Sequence, residues 1–203
     1  MSLIPEFELG FWNAWIFILP LIFLQIFGAK ILGKRGSGED WGHTKKEKIL
    51  NITGSSIVLA PYAYTIFLPL KLGTTWFYAG LLIYLLGMLV VISAMLSFHT
   101  TPVDKPVTKG VYSISRHPMY VGHFFINISI SIAYLSWIFL LVTIAAVIFE
   151  HNMVVSEETA CLKRYGDEYR EYMKRTPRWI GIPKSRKKTL TTNTAIQNSS
   201  SLI

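Results

Sequence analysis

The chain has 203 residues, 51% of them hydrophobic and only 16% charged, with a mean hydropathy of +0.39. That balance excludes an ordinary soluble domain of this size and makes the bilayer the expected solvent. The formal net charge of +8 raises nucleic acid as a partner, but the basic residues fall between or after apolar runs and not on an aromatic-studded basic surface, so no nucleic-acid binding is expected.

A hydrocarbon core takes about 20 apolar residues as a helix, and 11–32, 49–70 and 76–98 each reach that length. The first is led by Glu6 and Glu8 where a cleaved signal would carry basic residues, so it reads as a retained anchor. Pro20 and Pro61 predict kinks in the first two spans. In the third, Gly80, Gly87 and Ala94 recur every seventh residue, which keeps small side chains on one face for close helix contact. The run 119–155 is too long for one crossing and too short for two full ones. It predicts a helical hairpin that turns at Leu135 and Ser136 and ends near Glu157 and Glu158.

Beyond the hairpin, Leu162, Tyr165, Tyr169 and Tyr172 fall at helical spacing among Lys163, Arg164, Arg170 and Lys174, which predicts an amphipathic helix lying on the membrane surface. Gly166 and Asp167 read as a helix stop and a fresh N-cap, Pro177 as the end, and Trp179 as a headgroup-level residue. The tail from Lys184 is basic, then rich in Ser, Thr and Asn, and is expected to be disordered. The expected fold is therefore all-α and integral to the membrane, with about five transmembrane helices, the last two as a hairpin, plus the surface helix. Residues 1–100 hold the first three spans and the basic loop 33–48, 101–180 hold the chemistry, and 181–203 form the tail. Lys30, Lys34, Arg35, Lys45, Lys46 and Lys48 crowd the first loop, whereas the second carries only Lys71. This places the first loop and the C-terminus in the cytoplasm and the N-terminus outside.

Two clusters can carry chemistry. Arg116 and His117 immediately precede Pro118, which suits the first turn of a membrane helix, so their donors can meet an anionic group there. Equally, Arg116 can snorkel to phosphate headgroups while His117 caps the helix. The adjacent carboxylates of Glu157 and Glu158 are costly near hydrocarbon unless they face water or a bound partner such as ribose hydroxyls or an ammonium; a solvated helix end is the plainer alternative. A hairpin returns both clusters to one membrane face, where one pocket can hold them. His99, His117, His123 and His151 do not pair with other ligands at helical spacing, and Cys161 stands alone, so no metal site is expected.

The pattern Gly110-x-Tyr112-x-x-x-Arg116-His117-Pro118-x-Tyr120, followed by Glu157-Glu158-x-x-x-Leu162-x-x-Tyr165-Gly166-x-Glu168-Tyr169-x-x-Tyr172, resembles the superfamily of isoprenylcysteine carboxyl methyltransferases and phospholipid methyltransferases. The resemblance covers roughly the C-terminal half. It implies S-adenosylmethionine as cofactor, held by Val107, Tyr112, His117, Pro118, Met119, Tyr120, Glu157 and Glu158, with a lipid or prenylated acceptor arriving from the bilayer. Arg116 and Glu158 are the residues expected to act on the reaction, Arg116 by electrostatic positioning. Met153 stands where isoprenylcysteine enzymes of eukaryotic type carry an arginine for the acceptor carboxylate, with His151 and Asn152 as neighbours that could compensate. Asp104-Lys105-Pro106-Val107 also departs from the usual His-x-Leu-Val. The implied function is methyl transfer most like that of an isoprenylcysteine carboxyl O-methyltransferase. Phospholipid amine N-methylation or small-thiol S-methylation is the alternative, and a catalytically silent scaffold the non-enzyme one. A small transporter is disfavoured because neither repeat symmetry nor several midplane charges are present.

Overall fold

A computed structural model describes residues 10, 12–36 and 62–183 of the chain. The basic loop 33–48 and the second predicted span lie largely outside the described residues, and the tail from 184 lies wholly outside them. Four α-helices are described: α1 (Trp15–Gly36), α2 (Thr75–Thr100), α3 (Pro118–Tyr134) and α4 (Trp137–Arg175), with short 3-10 turns at Thr65–Phe67 and Gly110–Ser113. Helices α2 and α4 are long and apolar enough to cross a membrane, and α1 contributes a shorter apolar stretch. Leu82, Leu85, Leu86 and Leu89 of α2 and Leu141, Ile144 and Ile148 of α4 are exposed. Such a continuous apolar exterior belongs to a protein solvated by lipid.

The small-residue face predicted in the third span joins α2 to α3. Gly80, Tyr84, Gly87, Val91 and Ala94 are the buried residues of α2. A Cβ at Gly87 would stand 3.0 Å from the carbonyl oxygen of Gly122, and one at Gly122 would stand 2.5 Å from Cγ2 of Val91. Backbones this close leave no room for larger side chains, which is the packing role read from the heptad spacing. Helix α1 closes the other side through Phe17, whose ring makes edge contacts with Phe77, Tyr84 and Tyr134 at centroid distances of 6.2, 4.8 and 6.0 Å. The Tyr84 hydroxyl donates to the Phe17 carbonyl at 2.7 Å, which satisfies a polar group inside an apolar core.

The hairpin turns where the sequence places it. Leu135 adopts the left-handed conformation (φ 52°, ψ 36°), and the Ser136 side chain caps α4 by accepting from Phe139 N–H at 3.2 Å. Two expectations are corrected. After the 3-10 turn, residues 68–70 do not extend the second span as helix: Asn13 and Pro69 form an isolated antiparallel bridge, with Ala14 N–H donating to Leu68 O and Leu70 N–H to Trp12 O. Pro69 has no N–H to continue a helix, so the chain extends instead. Helix α4 also does not end at the acidic pair but runs on to Arg175, broken at Gly166 (φ 54°, ψ −126°). That conformation is open to glycine and strained for any other residue. The face carrying Tyr169 and Tyr172 is covered by the chain itself and is not free to lie on a bilayer: both are buried, and the Tyr172 hydroxyl donates to Tyr112 O at 2.6 Å.

Candidate active site

The site is assembled at the start of α3. His117 (φ −129°, ψ 57°), kept out of the helical region by the proline that follows it, is the N-cap of α3, and Pro118 fills the first helical position. Ser115 holds the approach: its Oγ accepts from His117 N–H at 3.1 Å and donates to the Arg178 carbonyl at 3.2 Å. Arg116 N–H donates to Pro177 O at 3.0 Å. The chain after α4 is thereby strapped across the start of α3, and Trp179 sits with its ring 6.4 Å from both the His117 and the His151 rings. Trp179 was read as a headgroup residue; its ring lies beside these histidines.

Helix α4 leaves its apolar stretch at Ser156 and brings Glu157 and Glu158 against this turn. Glu158 is 3% exposed. Its carboxylate accepts from Arg178 Nε at 3.1 Å and Nη2 at 2.7 Å, a two-pronged pair. Arg116 Nη2 lies 3.3 Å from Oε1, and His117 Nε2 lies 3.2 Å from the same oxygen. Glu157 is more open. It accepts from the Tyr120 hydroxyl at 2.6 Å and lies 3.5 Å from His117 Nδ1. Both imidazole nitrogens thus face carboxylates, which only accept, so the doubly protonated ring satisfies both contacts.

Burial alone would raise the Glu158 carboxyl. Hydrogen bonds from His117 and Arg178 and the Arg116 charge outweigh it and hold Glu158 at about 2. Burial likewise works against the His117 imidazolium, yet the hydrogen bonds to Glu157 and Glu158 prevail and raise it above its usual value. The Nε and Nη1 atoms of Arg116 are buried and have no hydrogen-bond partner among the described residues. A guanidinium whose outer donors stay unmatched in a buried setting is suited to an anionic group of a ligand.

Of the residues singled out in the sequence, Arg116, His117, Tyr120, Glu157 and Glu158 converge, with Pro118 beneath them. Val107, Tyr112 and Met119 pack instead with Ala94 in a small apolar cluster beside the site. Asn152 turns its amide back to Ile148 O at 3.2 Å and is not a substitute for a cation at Met153. Sequence reasoning missed Arg178 and Ser115. The Pro177-Arg178-Trp179 step after a helix end was a weak signal at best, because nothing local shows that the strap returns.

The fold sets an ion-paired cluster where a helical hairpin closes, on helices long and apolar enough to cross a membrane, and comparison with known proteins says what the chain is similar to. Residues 75–168 match the family model described as phospholipid methyltransferase. The protein-S-isoprenylcysteine O-methyltransferase of Xenopus laevis is 36% identical over 78 residues, 38% of this chain and 26% of the frog enzyme, so the match spans about a quarter of that relative's length. Over these stretches the chain is similar to a superfamily of membrane methyltransferases.

Proposed function

We propose that the protein transfers a methyl group from S-adenosylmethionine to an acceptor embedded in the membrane. The convergence of Arg116, His117 and Tyr120 with Glu157 and Glu158 carries the reading. The donor set fits that cofactor. The unmatched Nε and Nη1 of Arg116 suit a carboxylate, the acidic pair suits an ammonium or ribose hydroxyls, and Val107, Tyr112 and Met119 supply an apolar wall. When bound, the cofactor supplies a methyl carbon on positively charged sulfur.

The chain's own residues have three tasks in this reading. Arg116 orients the anionic end of the ligand. Glu158, kept ionised by its cations, offers negative charge at neutral pH, while Tyr120 holds Glu157. The strap 176–179 excludes water from the pocket, and in-line transfer needs alignment and dryness more than a covalent nucleophile. The charge distribution of the loops supports a cytoplasmic site with an external N-terminus. The frog relative's name favours a prenylcysteine carboxylate as acceptor, and the matching family model favours a phospholipid.

Calorimetric titration of S-adenosylmethionine into the purified protein, beside His117→Ala and Glu158→Ala, tests the reading. Binding by the wild type that both variants lose while keeping their helical circular dichroism supports it. No binding by a folded wild type in lipid refutes it and leaves a silent scaffold.

A further inference from the structure

One stripe of α4 is turned outward: Leu141, Ile144 and Ile148 are exposed, and His151 and Val155 continue the exposed row. The steps of three and four residues keep these side chains on one side of the helix. Glu158, three residues past Val155, is next in the row, and it is buried where Arg178 meets it. The strap therefore crosses α4 where the outward apolar stripe ends. Trp179 then reaches back along the stripe, since its ring lies 6.4 Å from that of His151. His151 precedes Glu158 by seven residues, about 10 Å back toward the apolar stretch of the helix.

The two isoleucines that follow Trp179 stand open: Ile180 is 61% exposed and Ile182 92%. The chain doubles back here. A Cβ on Gly181 would stand 2.9 Å from Pro177 Cγ, so the inner side of the bend is filled and the isoleucines lie on its outer side. Branched apolar side chains left this open to water are unfavourable. A tryptophan followed by two such residues, at the level where a membrane helix leaves hydrocarbon, has the make-up of an interfacial anchor. The sequence continues with Lys184, Arg186, Lys187 and Lys188, whose charge complements anionic headgroups. Two side chains fall far short of the roughly 1,000 Å² that a stable protein interface takes, whereas a bilayer surface needs no matching face.

We propose that residues 179–182 are an interfacial anchor whose partner is the lipid surface, and that the bilayer thereby holds the strap closed over the ion-paired cluster. The inference goes beyond the methyltransferase reading and does not depend on it. The strap is tied to the start of α3 and to Glu158 by the Arg116 N–H to Pro177 O bond, the Ser115 Oγ to Arg178 O bond and the Arg178–Glu158 pair. Lipid contact at Ile180 and Ile182 adds to these ties from outside. In a bilayer the strap stays down and Glu158 stays dry. Without that contact the strap opens more often, and water reaches Glu158 by that route.

Nitroxide labels at Ile182→Cys, Ile148→Cys and Lys174→Cys, each in a Cys161→Ala background, test the anchor in nanodiscs of phosphatidylcholine with phosphatidylglycerol. Collision with oxygen, which concentrates in lipid, is compared with collision with a water-soluble nickel chelate. The label at Ile182→Cys is expected to favour oxygen, falling between the lipid-facing Ile148→Cys and the exposed Lys174→Cys. A label there that favours nickel as Lys174→Cys does, or that is shielded from both because protein covers it, overturns the anchor. The double variant Ile180→Ser with Ile182→Ser leaves every polar tie of the strap in place and tests the holding role by hydrogen exchange. The Arg116 amide, bonded to Pro177 O, is expected to exchange at least about tenfold faster than in the wild type, the scale of one lost apolar side chain. Amides at the contact of Gly87 with Gly122 should keep their wild-type rates, which separates strap opening from unfolding. Equal exchange at Arg116 in both proteins overturns the proposal.

Discussion

Replacing Glu158 by glutamine keeps the side chain's shape and removes its charge. In the structure that charge is shared by Arg178, Arg116 and His117, and it holds the carboxyl at about 2 against an ordinary 4.5. A displacement of that size corresponds to about 3 kcal/mol of stabilisation at neutral pH. Arg116, whose side chain is 9% exposed, would be left buried beside Arg178 without a counter-charge, a situation that costs about 3–5 kcal/mol when one partner of a buried pair is lost. We expect Glu158→Gln to unfold about 6–12 °C lower at pH 7, at about 2–4 °C per kcal/mol for a chain of this length. The acid response should change too. Because the folded carboxyl is depressed, its contribution is fully present above about pH 5 and drains away as pH falls from 4.5 through 2. The wild type should lose stability across that window, and the variant should lose less. Cofactor affinity should drop about 10- to 100-fold, the worth of one charge-assisted contact. Scanning calorimetry from pH 3 to 7 and ligand titration measure all three. A variant that melts with the wild type, shows the same acid slope and binds the cofactor as tightly would refute the view that Glu158 organises the pocket.

Arg178→Gln should weaken cofactor binding about tenfold and move its acid limb to higher pH, because the two-pronged support of Glu158 is removed; Arg178→Lys should recover part of the loss, and unchanged titrations for both would show that Arg116 and His117 suffice. Gly122→Leu should cost about 1–3 kcal/mol or more through overpacking against Val91 and Gly87, seen as a lower melting temperature in nanodiscs. Burial, aided by the Glu157 charge, pushes the Cys161 thiol up to about 11 from 9.0. Its thiolate fraction at neutral pH is then about a hundredfold below that of a free cysteine, so maleimide labelling should be slow in the folded protein and fast after denaturation.

The hairpin and the pairing of its two ends were legible because an apolar run of that length must turn, and a turn at Leu135 and Ser136 returns Glu157 and Glu158 to the level of Arg116. The Gly80, Gly87 and Ala94 spacing was legible for a similar reason: helical periodicity states which residues share a face. It does not state what covers the face. Tyr169 and Tyr172 therefore read as membrane-facing, whereas the Tyr112 carbonyl and the core receive them. Arg116 left two readings open in the sequence, a ligand contact or a headgroup contact, and the structure buries it against Glu158. Arg178 was beyond reach, since a basic residue after a basic helix looks like any solvated charge.

The break at Gly166 measures out the last stretch of chain. Twenty residues separate Glu158 from Arg178, and in an unbroken helix they would lie about 30 Å apart, yet their side chains meet at 2.7 Å. The fold behaves here like a carpenter's rule with one joint: the two arms must match in length for the tip to land on its mark. Point changes on the outer surface of those arms, at Lys163 or Lys174, leave the arms' lengths alone, whereas adding or deleting a single residue between Gly166 and Thr176 rotates and shifts everything downstream by about 100° and 1.5 Å. Length, more than side-chain identity, is what this segment has to keep.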